Sequence, residues 1–171
     1  SGDILLEHIN NVLIIERNDN SQLELCDVSV LASDILTTMN PLAIASKHLL
    51  CLDKRGLDDR KVITDRRAIQ QIMINLISNA IKFSSVGDIK MRVFYGQFKD
   101  GDLALHLEIS DSGPGISQKD IERIFDDFVV LDNSYERNSS GTGLGLGIVR
   151  TLAQRLGGDI RYESTIEQGS R

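Results

Sequence analysis

Apolar residues recur at helical spacing across residues 3–17, where Ile4, Leu5, Ile9, Val12 and Leu13 share a stripe, so this segment is predicted as an amphipathic helix. A polar break at 18–21 separates it from a short apolar run at 23–28, which reads as a strand. Residues 29–46 read as a second helix, interrupted or bent by Pro41. Residues 48–52 form a second short strand pattern, followed by a polar loop around Gly56 and a brief apolar segment at 62–64. Asp65 then opens the longest helical pattern, which runs to Phe83. Its apolar positions are Ile69, Ile72, Met73, Leu76, Ile77, Ala80 and Ile81, an i, i+3, i+4, i+7 series.

The period changes at residue 88. Through residue 98 every second residue is apolar, with Ile89, Met91, Val93 and Tyr95 on one face. Residues 99–102 (Lys-Asp-Gly-Asp) supply hairpin turn chemistry. The return strand alternates again through Leu103, Leu105, Leu107 and Ile109. A glycine-rich turn (111–115), a short helix (117–125) and a polar stretch (129–140) follow. A second glycine loop at 141–147 runs into an apolar helix, 144–156, which Gly157-Gly158 closes as a C-cap. A last strand is predicted at 159–164. Mixed helices and strands with an antiparallel hairpin predict an α+β domain.

Composition narrows the function classes. The chain has 171 residues, enough for one domain with a sizeable core and an appendage. Its net charge is −6 and no basic stripe is visible, which argues against nucleic acid as the partner. An acidic chain that binds an anion must build a local positive site from helix N-termini, glycine loops and placed cations. The two cysteines, Cys26 and Cys51, are far apart and lack a CxxC or Cys/His context, so two buried thiols are expected rather than a zinc site. No signal peptide is visible and no apolar run approaches membrane-spanning length.

Three clusters carry candidate chemistry. Asn75, Asn79 and Lys82 stand at i, i+4 and i+7 of the long helix, on a stripe opposite its apolar face. The stripe is either a solvated face or an oxygen-donor site, since an asparagine carbonyl can ligate Mg²⁺ and a lysine can meet a phosphate. Asp111 opens Asp111-Ser112-Gly113-Pro114-Gly115 and shares the parity of Leu103 to Ile109, so strand geometry aims it at the core side. A carboxylate there needs a partner, and a ligand amine would serve; an ordinary surface turn is the alternative. Gly141, Thr142, Gly143, Leu144, Gly145, Leu146 and Gly147 alternate glycine with other residues ahead of a helix. Backbone amides there can approach an anion closely, and the helix dipole adds to the attraction. The alternative is glycine-lightened packing. The loop is neither a Walker motif nor a convincing Rossmann turn.

Taken in order, these segments resemble the histidine kinase catalytic domain of the Bergerat-fold ATPase superfamily. NLISNAIKFS (75–84) is similar to its N box, DSGPGI (111–116) to its G1 box, IFDDF (124–128) to its F box and GTGLGLGIV (141–149) to its G2 box. The order and spacing match, and the resemblance covers about residues 22–171. It implies a two-layer α/β sandwich, with a mixed sheet covered on one face by helices and ATP between them under a lid. It implies Asn79 as the Mg²⁺ ligand, Asn75 in support of the phosphates and Lys82 on a phosphate. Asp111 would accept from the adenine amine, with Gly113, Gly115 and Ile116 close to the base. Gly141, Thr142, Gly143, Leu144, Gly145 and Leu146 would surround the phosphates. Residues 129–140 would be the lid, with Arg137 near the γ-phosphate and Phe125 and Phe128 at its hinge.

The resemblance also implies partners. They are a dimerisation and histidine phosphotransfer domain of the same protein, a response regulator receiver domain and a homodimeric parent. A cytoplasmic location with no direct membrane contact is expected for this piece, whether or not the parent is anchored in the inner membrane. Two departures stand out. No phosphoacceptor motif surrounds His8, His48 or His106, so residues 1–20 are read as a remnant of the dimerisation domain's second helix, ahead of a catalytic domain at 21–171. The chain also stops where the family continues into one more strand. Superfamily ATPases of the gyrase, mismatch-repair and chaperone type carry a water-activating glutamate where this chain has Asn75, and an amide is no general base. A serine kinase or a non-catalytic regulator of the same superfamily is the third reading.

Overall fold

A computed structural model describes residues 22–84, 87–98, 101–111, 145–161, 164–165 and 169–170. The predicted helices at 3–17 and 117–125 and the proposed lid at 129–140 lie outside these residues.

Strand β1 (Leu23–Cys26) pairs antiparallel with β3 (Val62–Asp65), with Leu25 opposite Ile63 and Cys26 opposite Val62. The strand expected to reach residue 28 ends two residues earlier. Asp27 takes extended backbone and its carboxylate accepts the Val30 N–H at 3.0 Å, which starts helix α1 (Val28–Ala45). This satisfies one of the N–H groups that a helix leaves orphaned at its start. Pro41 does not interrupt α1. Met39 and Ala43, buried on either side, hold the last turns against the core despite the lost backbone bond. By length and composition this 18-residue helix is apolar enough to cross a membrane, contrary to the expectation from the sequence. Its Val28, Leu31, Ala32, Ile35, Met39 and Ala43 are buried in the domain core.

The central sheet is mixed. Strand β2 (His48–Asp53) runs parallel to β4 (Gly87–Gln97), which pairs antiparallel with β5 (Leu103–Ser110). The alternation predicted for β4 holds: Ile89, Met91 and Val93 are fully buried. They meet Leu105, Leu107 and Ile109 of β5 and the apolar stripe of α2 (Arg66–Phe83). Leu103 shares the parity but is 58% exposed, because it lies at the turn end of the hairpin, away from the core. Helices α1 and α2 thus cover one face of the sheet, the expected two-layer α+β arrangement. Each side chain buried in this layer contributes roughly 1.5–3 kcal/mol.

Helix α3 (Gly145–Arg155) packs Ile148, Val149 and Leu152 against Ala68 and Ile72 of α2. It ends as expected at the glycine pair. Gly157 takes a φ of +77° and donates to the Gln154 carbonyl, and Gly158 donates to Ala153. Of the strand expected at 159–164, residues 159–161 form none, and Ser164 belongs to β6 (Ser164–Thr165), which pairs with β7 (Gly169–Ser170). Both cysteines are free thiols. Cys26 is buried and burial pushes its thiol up, whereas Cys51 is only half-buried, against the expectation for it.

Candidate functional site: the polar stripe of α2 under α3

Helix α2 starts at Asp65, whose carboxylate accepts the Ala68 N–H at 3.0 Å. Ile69, Met73, Ile77, Ala80 and Ile81 face the sheet and α1, while Ala68 and Ile72 face α3. The stripe left over carries Asn75, Asn79 and Lys82. It is not a solvated face, because all three side chains are half-buried.

Helix α3 covers Asn79. Its first residue, Gly145, lies against the Asn79 amide, and a Cβ placed there would come within 3.2 Å of Nδ2 and 3.3 Å of Oδ1. Any side chain at 145 would displace Asn79 or push the helices apart. At the far end of α3, the Arg155 guanidinium stands 3.8 Å from the buried Asp65 carboxylate. The two helices therefore run antiparallel, and the N-terminus of α3 points into the polar stripe of α2. The N-terminal end of a helix carries the positive end of its dipole, which favours an anion.

One turn before Asn79, the Asn75 Oδ1 accepts the Gln71 Nε2 at 3.0 Å. That bond fixes the amide orientation and leaves Nδ2 buried, with no hydrogen-bond partner among the described residues. A buried, unpaired amide donor costs about 1–3 kcal/mol. Its natural complement is an oxygen that the described residues do not supply. A phosphate oxygen is such a group, and the neighbouring Asn79 Oδ1 is a hard oxygen donor of the kind Mg²⁺ takes. The donor set present therefore fits a magnesium–triphosphate. Lys82 lies one turn further on, in the last turn of α2, its Nζ 5.5 Å from the Phe83 ring centre.

Asp111 directly follows β5 and is half-buried. Leu105, Leu107 and Ile109, with which it shares parity, pack on the helical side. Leu146 is half-buried in the first turn of α3. The structure thus brings Asn79 and Gly145 into contact, with Asn75, Lys82 and Leu146 nearby in the same helix pair. Gly113, Gly115, Ile116, Phe128, Arg137, Gly141, Thr142, Gly143 and Leu144 lie outside the described residues. Two contributors escaped the sequence reading. Gln71, which orients Asn75, was legible in principle as an i, i+4 amide pair. Arg155, which reaches back to Asp65, was not, since only the helix packing brings it there.

With this geometry in hand, comparison with known proteins is decisive. Residues 64–171 match the family of histidine kinase-, DNA gyrase B- and HSP90-like ATPases. The chain belongs to that family, and within it corresponds to the ATP-binding catalytic module of the sensor histidine kinases. It is 36% identical over 177 residues to the circadian input-output histidine kinase CikA of Synechococcus elongatus, covering 99% of this chain and 23% of the relative. To the sensor histidine kinase GacS of Pseudomonas protegens it is 35% identical over 175 residues, covering 99% and 19%. The chain therefore spans about a fifth of the length of these relatives. Among solved structures, full-length ShkA in complex with AMPPNP superposes with a TM-score of 0.83 at 26% identity, covering 99% of this chain and 35% of that one. Acinetobacter baumannii histidine kinase AdeS gives 0.70 at 27%, covering 97% and 73%.

Proposed function

We propose that this chain binds Mg·ATP at the polar stripe of α2 and presents the γ-phosphate to a histidine on a helical domain of its parent protein. The observation that carries the reading is the buried Nδ2 of Asn75, unpartnered among the described residues, one turn from an Asn79 amide pressed against Gly145. Asn75 donates to a phosphate oxygen, and Asn79 offers its amide oxygen to the metal. Lys82 places a positive charge on a phosphate. Asp111 accepts from the adenine amine, next to Gly113, Gly115 and Ile116. Gly141, Thr142, Gly143, Gly145 and the start of α3 surround the triphosphate, with Leu144 and Leu146 alongside. Residues 129–140, with Phe128 and Arg137, close over it. Bound Mg²⁺ would neutralise charge on the triphosphate.

The residues of this chain act by holding and orienting. Phosphoryl transfer needs little covalent help from the protein beyond positioning and charge stabilisation. Asn75 has no basic oxygen with which to activate water, which favours transfer to a protein acceptor over hydrolysis. The parent carries the acceptor histidine, dimerises through that domain and passes phosphate to a response regulator receiver domain. This module works in the cytoplasm, with Mg²⁺ and ATP as its cofactors.

The test uses γ-labelled ATP with this chain alone and then with a separate two-helix domain that carries the acceptor histidine. Acid-labile label on the added domain, and little phosphate release by the chain alone, is the expected result. Rapid release by the chain alone would establish the ATPase reading instead, and acid-stable label would point to a serine kinase.

A further inference from the structure

Three polar or charged residues are buried among the described residues: His48, Asp53 and Asp65. Asp65 caps α2, and Asp53 is held by a forked contact from Arg55 at 2.7–3.1 Å, which keeps its carboxyl well below the usual range. His48 has neither role. It is 6% exposed, at the first position of β2 and opposite Gly87 in the parallel register with β4. An imidazole in such a place costs free energy unless its nitrogens are bonded. Both face main-chain carbonyls: Nε2 lies 3.1 Å from Ile81 O, and Nδ1 lies 3.3 Å from Gly87 O. A neutral ring bonds one of these carbonyls at a time, whereas an imidazolium bonds both.

The position of Ile81 gives this contact its consequence. It lies in the last turn of α2, where carbonyls run out of helical N–H partners. Ser84 N takes the Ala80 carbonyl, and His48 reaches the next one. The residue after Ile81 is Lys82. His48 therefore fastens the end of the site helix to the sheet at the residue before the lysine. The chain bends sharply to bring it there, since Lys47 closes α1 at a φ of +62°, a left-handed conformation disfavoured for a residue with a side chain.

We infer that His48 is a positioning residue for the nucleotide site: by bonding the Ile81 carbonyl it fixes the last turn of α2 and so sets Lys82 on the phosphates. The inference rests on the assignment of Lys82 to a phosphate. His48 touches no nucleotide. Its removal frays the end of α2, weakens the phosphate contact and leaves the contacts to the base intact.

A double-mutant cycle tests it with the whole chain, using His48→Phe, Lys82→Met and the double variant. Binding of Mg·ATP and of adenosine is measured by calorimetry, and folding by circular dichroism. Lys82→Met is expected to weaken Mg·ATP roughly tenfold and His48→Phe roughly fivefold, with adenosine unchanged, as befits lost hydrogen bonds to charged and neutral groups. In the Lys82→Met background, His48→Phe adds no further loss, because the route through the lysine is already gone. Equal losses for Mg·ATP and adenosine, additive losses in the cycle, or a folded His48→Phe that binds Mg·ATP like the parent would each overturn the inference. Should His48→Phe melt below the assay temperature, His48→Leu, smaller and equally unable to donate, carries the same cycle. A Lys82→Met variant with full Mg·ATP affinity would refute the phosphate assignment itself, and the route through Lys82 falls with it.

Discussion

Helices α1 and α2 are built alike and do different work. Each has 18 residues, begins at an aspartate that accepts an N–H three residues on at 3.0 Å, and buries one apolar face in the same core. They differ in how their remaining polar groups are satisfied. On α1 the hydroxyls of Ser33, Thr37 and Thr38 bond back to the carbonyls four residues earlier, at 2.9–3.0 Å. These groups are satisfied within the chain, with Ser33 also accepting from Lys54 Nζ at 3.2 Å, and ask nothing of a ligand. On α2 the polar stripe carries two asparagines and a lysine, with Asn79 against Gly145 of α3, and the Asn75 Nδ2 is buried without a partner among the described residues. A helix whose polar groups satisfy themselves is structural. One that buries a donor without an acceptor among the described residues is left with bonding capacity for a group beyond them.

Three tests would break or sharpen this contrast. The apolar faces should be equivalent. Ile77→Ala on α2 and Leu31→Ala on α1, both buried in the same cluster, should each cost about 2–5 kcal/mol in urea unfolding, as for large-to-small changes in other cores. A cost confined to one helix would show that the two do not share one cooperative core.

The polar faces should differ. Asn79→Ala should weaken Mg·ATP roughly 100-fold, about 2.7 kcal/mol, while moving the unfolding midpoint little. Calorimetry with and without Mg²⁺ checks this. An undiminished affinity would remove Asn79 from the metal site.

The smallest effect has an unusual sign. Asn75→Leu should raise stability by about 1 kcal/mol, because it removes a buried unpaired donor and places a better helix former, while weakening Mg·ATP. Its counterpart on α1, Thr37→Val, should shift stability by no more than about 0.5 kcal/mol and leave nucleotide binding unchanged. A destabilised Asn75→Leu would mean that the Gln71–Asn75 pair supports the fold, and the contrast between the helices would lose its basis.

Periodicity alone located α2, the alternation of β4 and β5, and the glycine stop after α3, because each is a local consequence of where side chains must point. The stripe of Asn75, Asn79 and Lys82 was legible for the same reason, and the motif order tied it to nucleotide chemistry. Periodicity failed where a single side chain decided the outcome. The run at 23–28 reads as strand throughout, yet Asp27 ends it by capping α1. Pro41 reads as a break, yet burial of Met39 and Ala43 carries the helix past it. Residues 159–161 are apolar and polar in strand-like alternation but form no strand.

What the sequence determined by itself was the set of amphipathic elements and which residue types could meet an anion, since both follow from spacing and side-chain chemistry. Only the tertiary structure decided whether the stripe of α2 was wet or covered. At Asn79 that choice turned on Gly145, 66 positions further along the chain, lying close enough to touch its amide. Likewise His48 reads as an unremarkable polar residue at the head of a strand. Its bond to the end of α2 exists because the parallel pairing of β2 with β4 brings together groups 33 residues apart. Long-range pairing of this kind is a property of packing, and no local pattern encodes it.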